Sequence, residues 1–129
     1  MESKGLDNLR FDRSSRLLNA KDFSYVFDKT ELRGTTSGLL ILARGNNLQR
    51  SRLGFVISKK NVRFAVQRNR IKRVIRESFR CHRAVLPSVD YVILARPQAA
   101  LMTHTEIRAA IDDVWLRLRK PRDKRSKRA

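Results

Sequence analysis

The sequence predicts an α+β fold, a two-layer sandwich in which helices lie on a small, mainly antiparallel sheet. Three observations carry this. Short runs rich in β-formers (residues 39–43, 53–58 and 90–95) are bounded by Gly, Asn, Ser or Pro. Stretches with apolar residues at helical spacing, beginning i, i+3, i+4 or i, i+4, i+7, occur near both ends and in the middle of the chain. A helical stretch of about twenty residues separates two of the strands, which is the pattern of a βαβ unit. The order is α, two or three strands, α, β, α; with three strands it is α-β-β-β-α-β-α. At 129 residues the chain supports one core. It divides into a flexible N-terminal segment (residues 1–14), one domain (15–119) and a disordered basic tail (120–129).

Residues 1–14 mix charges with few anchors, although Leu9 and Phe11, with Leu17 and Leu18 just beyond, could pin the segment to the surface. Asn19 is the expected N-cap of a first helix, with Asp22 three residues on and Phe23, Val26 and Phe27 at i, i+3 and i+4. That helix should end at residues 28–30. Gly34-Thr-Thr-Ser-Gly38 has loop chemistry. Residues 39–43 then read as a short buried strand, and residues 53–58 as a second, with Leu53, Phe55 and Ile57 on one face. The two should pair antiparallel across a polar loop with Gly45-Asn46-Asn47 at its tip. Gly54 marks either a bulge or a close backbone approach.

Residues 64–84 form the predicted long helix, which Pro87 closes, and residues 90–95 the strand after it. Thr103 and Glu106 make a capping box for the last helix. Its apolar positions Ile107, Ile111, Val114, Trp115 and Leu118 keep the helical period, so it faces the core, and Pro121 ends it. The remaining tail is too charged to fold alone.

The long helix has two incompatible faces. Ile71, Val74, Ile75, Ser78 and Phe79 make a narrow stripe that must meet a core. Opposite lie Asn69, Arg73, Arg76 and Arg80, with Lys72 and Arg83 beside them and Arg68 and Arg70 on the rims. Residues 59–83 carry ten Lys or Arg against one acid, Glu77. Like charges at i,i+3 and i,i+4 each cost a few tenths of a kcal/mol, so the ridge calls for an external polyanion. Arg outnumbers Lys on it, which suits forked contacts to phosphate.

The whole chain has 30 Lys and Arg against 12 Asp and Glu, a formal charge of +18. That balance favours nucleic acid as partner. A membrane is disfavoured because no apolar run approaches the roughly 18 residues needed to span. The N-terminus lacks the apolar centre of a signal peptide, and the cytoplasm is the expected location. Cys81 is the single cysteine, which rules out an intrachain disulfide.

A protein nuclease would need clustered carboxylates for Mg²⁺ or a His pair. Asp90, Asp112 and Asp113 are spread over a strand end and a helix, and His82 and His104 read as singletons. No phosphate-binding glycine loop or Cys/His metal spacing occurs. An RNA- or DNA-binding module is therefore favoured over an autonomous enzyme. Phe23 and Phe27, one turn apart, are either ordinary core or a stacking platform for single-stranded bases.

Residues 65–80, Ala-Val-Gln-Arg-Asn-Arg-Ile-Lys-Arg-Val-Ile-Arg-Glu-Ser-Phe-Arg, closely resemble the Arg-Asn-Arg helix of the protein component of bacterial ribonuclease P. Residues 54–60, 22–27 and 90–96 resemble that family's strand before the helix, first helix and last strand, so the resemblance spans residues 15–118. It implies a protein that joins a large catalytic RNA in an endoribonuclease cutting the 5′ leader from precursor tRNA. The hydrolysis would be Mg²⁺-dependent, with metal and active site chiefly on the RNA, and the protein would broaden substrate grip and lower Mg²⁺ demand. No catalytic residue in the protein, no membrane and no obligate protein partner are implied.

By the same resemblance Lys59, Lys60, Arg68, Asn69, Arg70, Lys72, Arg73, Arg76 and Arg80 would contact the catalytic RNA. Phe23, Phe27, Ile41 and Arg96 would hold the leader. The family fold has a left-handed βαβ crossover, against the general preference. One departure stands out. Some relatives carry an aromatic on the first strand, whereas Leu39-Leu-Ile-Leu42 has none, leaving Ile41 an apolar contact only.

Overall fold

The computed structural model describes residues 16, 19–46, 48 and 50–118. The expectations for residues 1–14 and 120–129, and for Leu17 and Leu18, lie outside the described residues. The first helix, α1 (Ala20–Asp28), starts as expected: Asn19 accepts from the Asp22 amide, and the Asp22 carboxylate accepts from the Asn19 amide. Strands β1 (Leu32–Thr35), β2 (Leu39–Gly45) and β3 (Arg52–Val56) follow, then the long helix α2 (Ala65–His82). A 3₁₀ turn at Arg83–Val85 leads to β4 (Val89–Ala95), and a second at Pro97–Leu101 leads to α3 (His104–Leu118). Thr103 and Glu106 make the reciprocal capping bonds at 2.8 and 3.1 Å.

The four strands lie in the order β1-β2-β4-β3. This corrects the expected hairpin of β2 with β3: β4 lies between them, antiparallel to β2 and parallel to β3. The reason is burial. Every residue of β4 except the half-buried Leu94 is buried, so its apolar side chains need cover on both faces and its backbone needs partners on both edges. The connection from β2 to β3 is tied to β4, not folded as a tight turn: Asn46 Nδ2 donates to Asp90 Oδ1 at 2.7 Å and to the Arg50 carbonyl at 3.1 Å. Parallel pairing of β3 and β4 makes β3-α2-β4 the βαβ unit that the sequence suggests.

Strand β1 replaces part of the expected loop. Only residues 36–38 turn, with Thr36 Oγ1 accepting from the amides of Gly38 and Leu39. Gly34 pairs with Ile41 and lies under α3; a Cβ there would come within 2.9 Å of Val114 Cγ1.

One sheet face carries Leu39, Ile41, Ala43, Leu53, Tyr91, Ile93 and Ala95 into a core closed by α2 and α3. The five residues of the α2 stripe are all buried there, as are the five apolar positions of α3. Phe79, Tyr91 and Trp115 form an aromatic trio with centroids 5.3–6.1 Å apart. On the opposite face α1 lies over β2 and β4, burying Val26 against Leu42 and Val92.

Candidate nucleic-acid interface

Burying Ile71, Val74, Ile75, Ser78 and Phe79 forces the other side of α2 outward, and the basic residues emerge in three states. Lys59, Lys60, Asn69 and Arg73 are exposed, and Lys72 is half-buried. Arg68 and Arg70 are folded onto the protein. Arg68 Nη1 donates to the carbonyls of Val62 (3.0 Å) and Arg63 (2.9 Å), and Arg70 Nη2 to that of Met102 (3.1 Å). Those bonds hold the turn before α2 and the segment before α3, so both arginines build the surface as well as charging it.

Arg76 and Arg80 make the third group. The Arg76 guanidinium carbon lies 5.5 Å from the Phe55 ring centroid, and burial, then the nearby charge of Arg16, lowers its pKa. Arginine keeps its proton regardless, so a partly desolvated cation persists at the edge where α2 meets β3. Arg80 pairs with Glu77, whose carboxyl is held below its usual range chiefly by that hydrogen bond. It is therefore the most neutralised member of the ridge.

The second candidate surface lies around α1. Phe23 is half-buried against the Val26, Leu42 and Val92 cluster, whereas Phe27 is 44% exposed and outside it. Tyr25 is clamped at the end of β2: Arg44 stacks 3.8 Å from its ring centroid, and its hydroxyl donates to the Gly45 carbonyl. Arg96 is exposed just after β4. Ile41 must be withdrawn from this surface. It is fully buried on the α2/α3 side of the sheet, with no area to offer a ligand. Its neighbours Leu40, Leu94 and Val56 carry the accessible apolar surface on the α1 side. Strand alternation could have found them, but a sheet covered on both faces gives continuous apolar runs that hide which parity faces which way.

The acids are occupied elsewhere. Asp90 is buried and gripped by Arg52 in a fork, Nε to Oδ1 at 2.8 Å and Nη2 to Oδ2 at 2.7 Å. Asp112 accepts from Ser78 and from Arg108 Nε (3.1 Å), and Asp113 pairs with Arg117 at 3.2 Å. His82 Nδ1 is bonded to the Ser78 carbonyl, and His104 is exposed. Among the described residues there is no group of three His, Cys, Asp or Glu that could hold a metal ion. No described helix is long and apolar enough to cross a membrane.

The family model for ribonuclease P matches residues 11–119. The chain belongs to the ribonuclease P protein family. Among its relatives, the ribonuclease P protein component of Chromohalobacter salexigens is 45% identical over 116 residues, covering 90% of this chain and 91% of that one. That of Pseudomonas aeruginosa is 46% identical over 108 residues, covering 84% and 80%. The solved ribonuclease P protein of Staphylococcus aureus matches with a TM-score of 0.74 at 28% identity, over 82% of this chain and 98% of that one. The Thermotoga maritima ribonuclease P protein matches with a TM-score of 0.70 at 27% identity, over 81% and 98%. The solved ribonuclease P proteins thus share the fold of this chain.

Proposed function

We propose that this chain is the protein subunit of a ribonuclease P ribonucleoprotein that removes the 5′ leader from precursor tRNA. The carrying observation is α2, which turns an apolar stripe into the core and leaves a one-sided arginine ridge outside. The ridge binds the catalytic RNA, with Lys59, Lys60, Asn69, Lys72, Arg73 and Arg76 meeting it directly. Arg68 holds the turn that leads into α2, Arg70 ties the helix to the segment before α3, and Arg80, shared with Glu77, contributes least. Screening phosphate repulsion in this way lets two RNAs approach each other and lowers the Mg²⁺ demand of the complex. The hydrolysis and its metal ions belong to the RNA.

The surface around α1 holds the single-stranded leader, with Phe27 stacking on a base, Phe23 backing it against the sheet and Arg96 countering a phosphate. Leu40, Leu94 and Val56 supply the apolar floor. This lets the holoenzyme favour precursor over mature tRNA. Stacking on an aromatic contributes about 1–3 kcal/mol per base. Phe27→Ala should weaken precursor affinity of the holoenzyme by that amount and leave mature tRNA affinity unchanged. Equal losses on both ligands would return Phe27 to a structural role.

A further inference from the structure

We propose that Phe64 is a second base-stacking residue, presented at the start of α2 to an unpaired nucleotide of the RNA that the ridge holds. This rests on the reading of α2 as an RNA-binding helix and adds a contact of a different chemical kind. Phe64 is 56% exposed, and Val66, 73% exposed, shares the outward face of α2 with Asn69 and Arg73 at i+3 and i+7. Two large apolar side chains therefore stand at the head of a cationic ridge. The Arg63 guanidinium carbon lies 5.3 Å from the Phe64 ring centroid, within cation–π reach. Lys59, Lys60 and Arg63 are all exposed on the approach to the helix.

The ring is presented on a fixed support. Val62 is fully buried, Asn61 Nδ2 donates to the Ala95 carbonyl at 2.9 Å, and Arg68 binds the Val62 and Arg63 carbonyls. Ordering before binding lowers the entropy lost on binding. At the start of α2 the Phe64 backbone carbonyl accepts from the Gln67 and Arg68 amides, while its side chain makes no capping bond.

Charge decides the occupant. No Asp or Glu occurs in residues 32–76, and the exposed Lys59, Lys60 and Arg63 precede the ring, so the chain leading to this apolar spot is cationic. An unpaired nucleotide offers a π-face and a phosphate together, which matches Phe64 beside Arg63 and the two lysines. A second copy of the chain would instead bring a formal charge of +18 against +18.

The test uses the full chain with the ribonuclease P RNA subunit, and duplex RNA as the control. Phe64→Ala and Phe64→Leu should each weaken RNA-subunit binding about 5- to 150-fold, the range for one lost stack. Their salt dependence should match the wild type, because no phosphate contact is removed. Phe64→Trp should keep affinity, and its new fluorophore should be quenched by the RNA subunit and not by duplex RNA. Trp115, the chain's single native tryptophan, is 1% exposed and serves as the unquenched reference. Wild-type affinity in Phe64→Ala or Phe64→Leu, or an unquenched Phe64→Trp in a bound complex, overturns the proposal. So does RNA-independent self-association that Phe64→Ala abolishes. A wild-type chain that fails to bind the RNA subunit overturns the reading of α2 itself, before any substitution is made.

Discussion

Asp90 ties three parts of the sheet together through its carboxylate. It is buried, accepts the fork of Arg52 and the amide of Asn46, and so joins β3, β4 and the connection between β2 and β3. The Arg52 pKa is raised, first by that hydrogen bond. Asp90→Ala removes the fork and the Asn46 bond and leaves Arg52, 20% exposed, only the more distant Asp22 carboxylate at 3.7 Å; losing hydrogen bonds to a charged group should lower unfolding free energy by about 1.5–3 kcal/mol in a urea titration. Tyr91 makes a prediction in pH. Burial raises its pKa above the ordinary value of 10.0, so between that value and the raised one the folded state keeps a proton the unfolded state has lost. Stability is then fully present below about pH 10 and falls as pH rises beyond it. Tyr91→Phe keeps the rings packed against Phe79 and Trp115 and should remove this part of the alkaline loss in melts compared at pH 8 and 11. At this scale the sequence showed which residues carry charge or apolar bulk. It did not show their partners: Asp90 read as one of three scattered acids, and Ile41 as a surface contact, because partner and parity come from strand pairing.

Among the elements, α2 was the most legible, since its stripe of five and its opposing ridge follow from helical geometry alone. What geometry alone could not sort was which arginines are free to meet RNA. Arg73 is exposed, whereas Arg68 is bonded to two backbone carbonyls. Arg73→Ala should leave the melting temperature unchanged, weaken RNA-subunit binding and reduce the salt slope by about 0.7 to 0.9. Arg68→Ala should also lower the melting temperature, because the turn before α2 loses its support. Equal effects of the two on stability would contradict the division. Strand β1 was the least legible element. It has four residues, and Gly34 is there because α3 leaves no room for a Cβ, so a requirement of tertiary packing looked like a turn signal.

For the whole molecule, the α+β class, the element types and the βαβ unit could be read from the chain, while the strand order could not. Neighbouring strands in sequence usually pair. Here the last strand, apolar on both faces, takes the central place and displaces β3 to the edge. That arrangement gives the molecule two candidate surfaces from one sheet: α2 closes one face and turns its ridge outward, and α1, which carries the exposed Phe27, packs on the other. A formal charge of +18 serves both, since each would meet phosphate. In the proposed division of labour the protein contributes assembly and substrate grip and the RNA contributes hydrolysis. Precursor tRNA cleavage at low Mg²⁺, assayed with protein alone, RNA subunit alone and the two together, tests this most directly. Marked cleavage from the pair only is the expected result; cleavage by the protein alone, or no gain when it is added to the RNA, would contradict it.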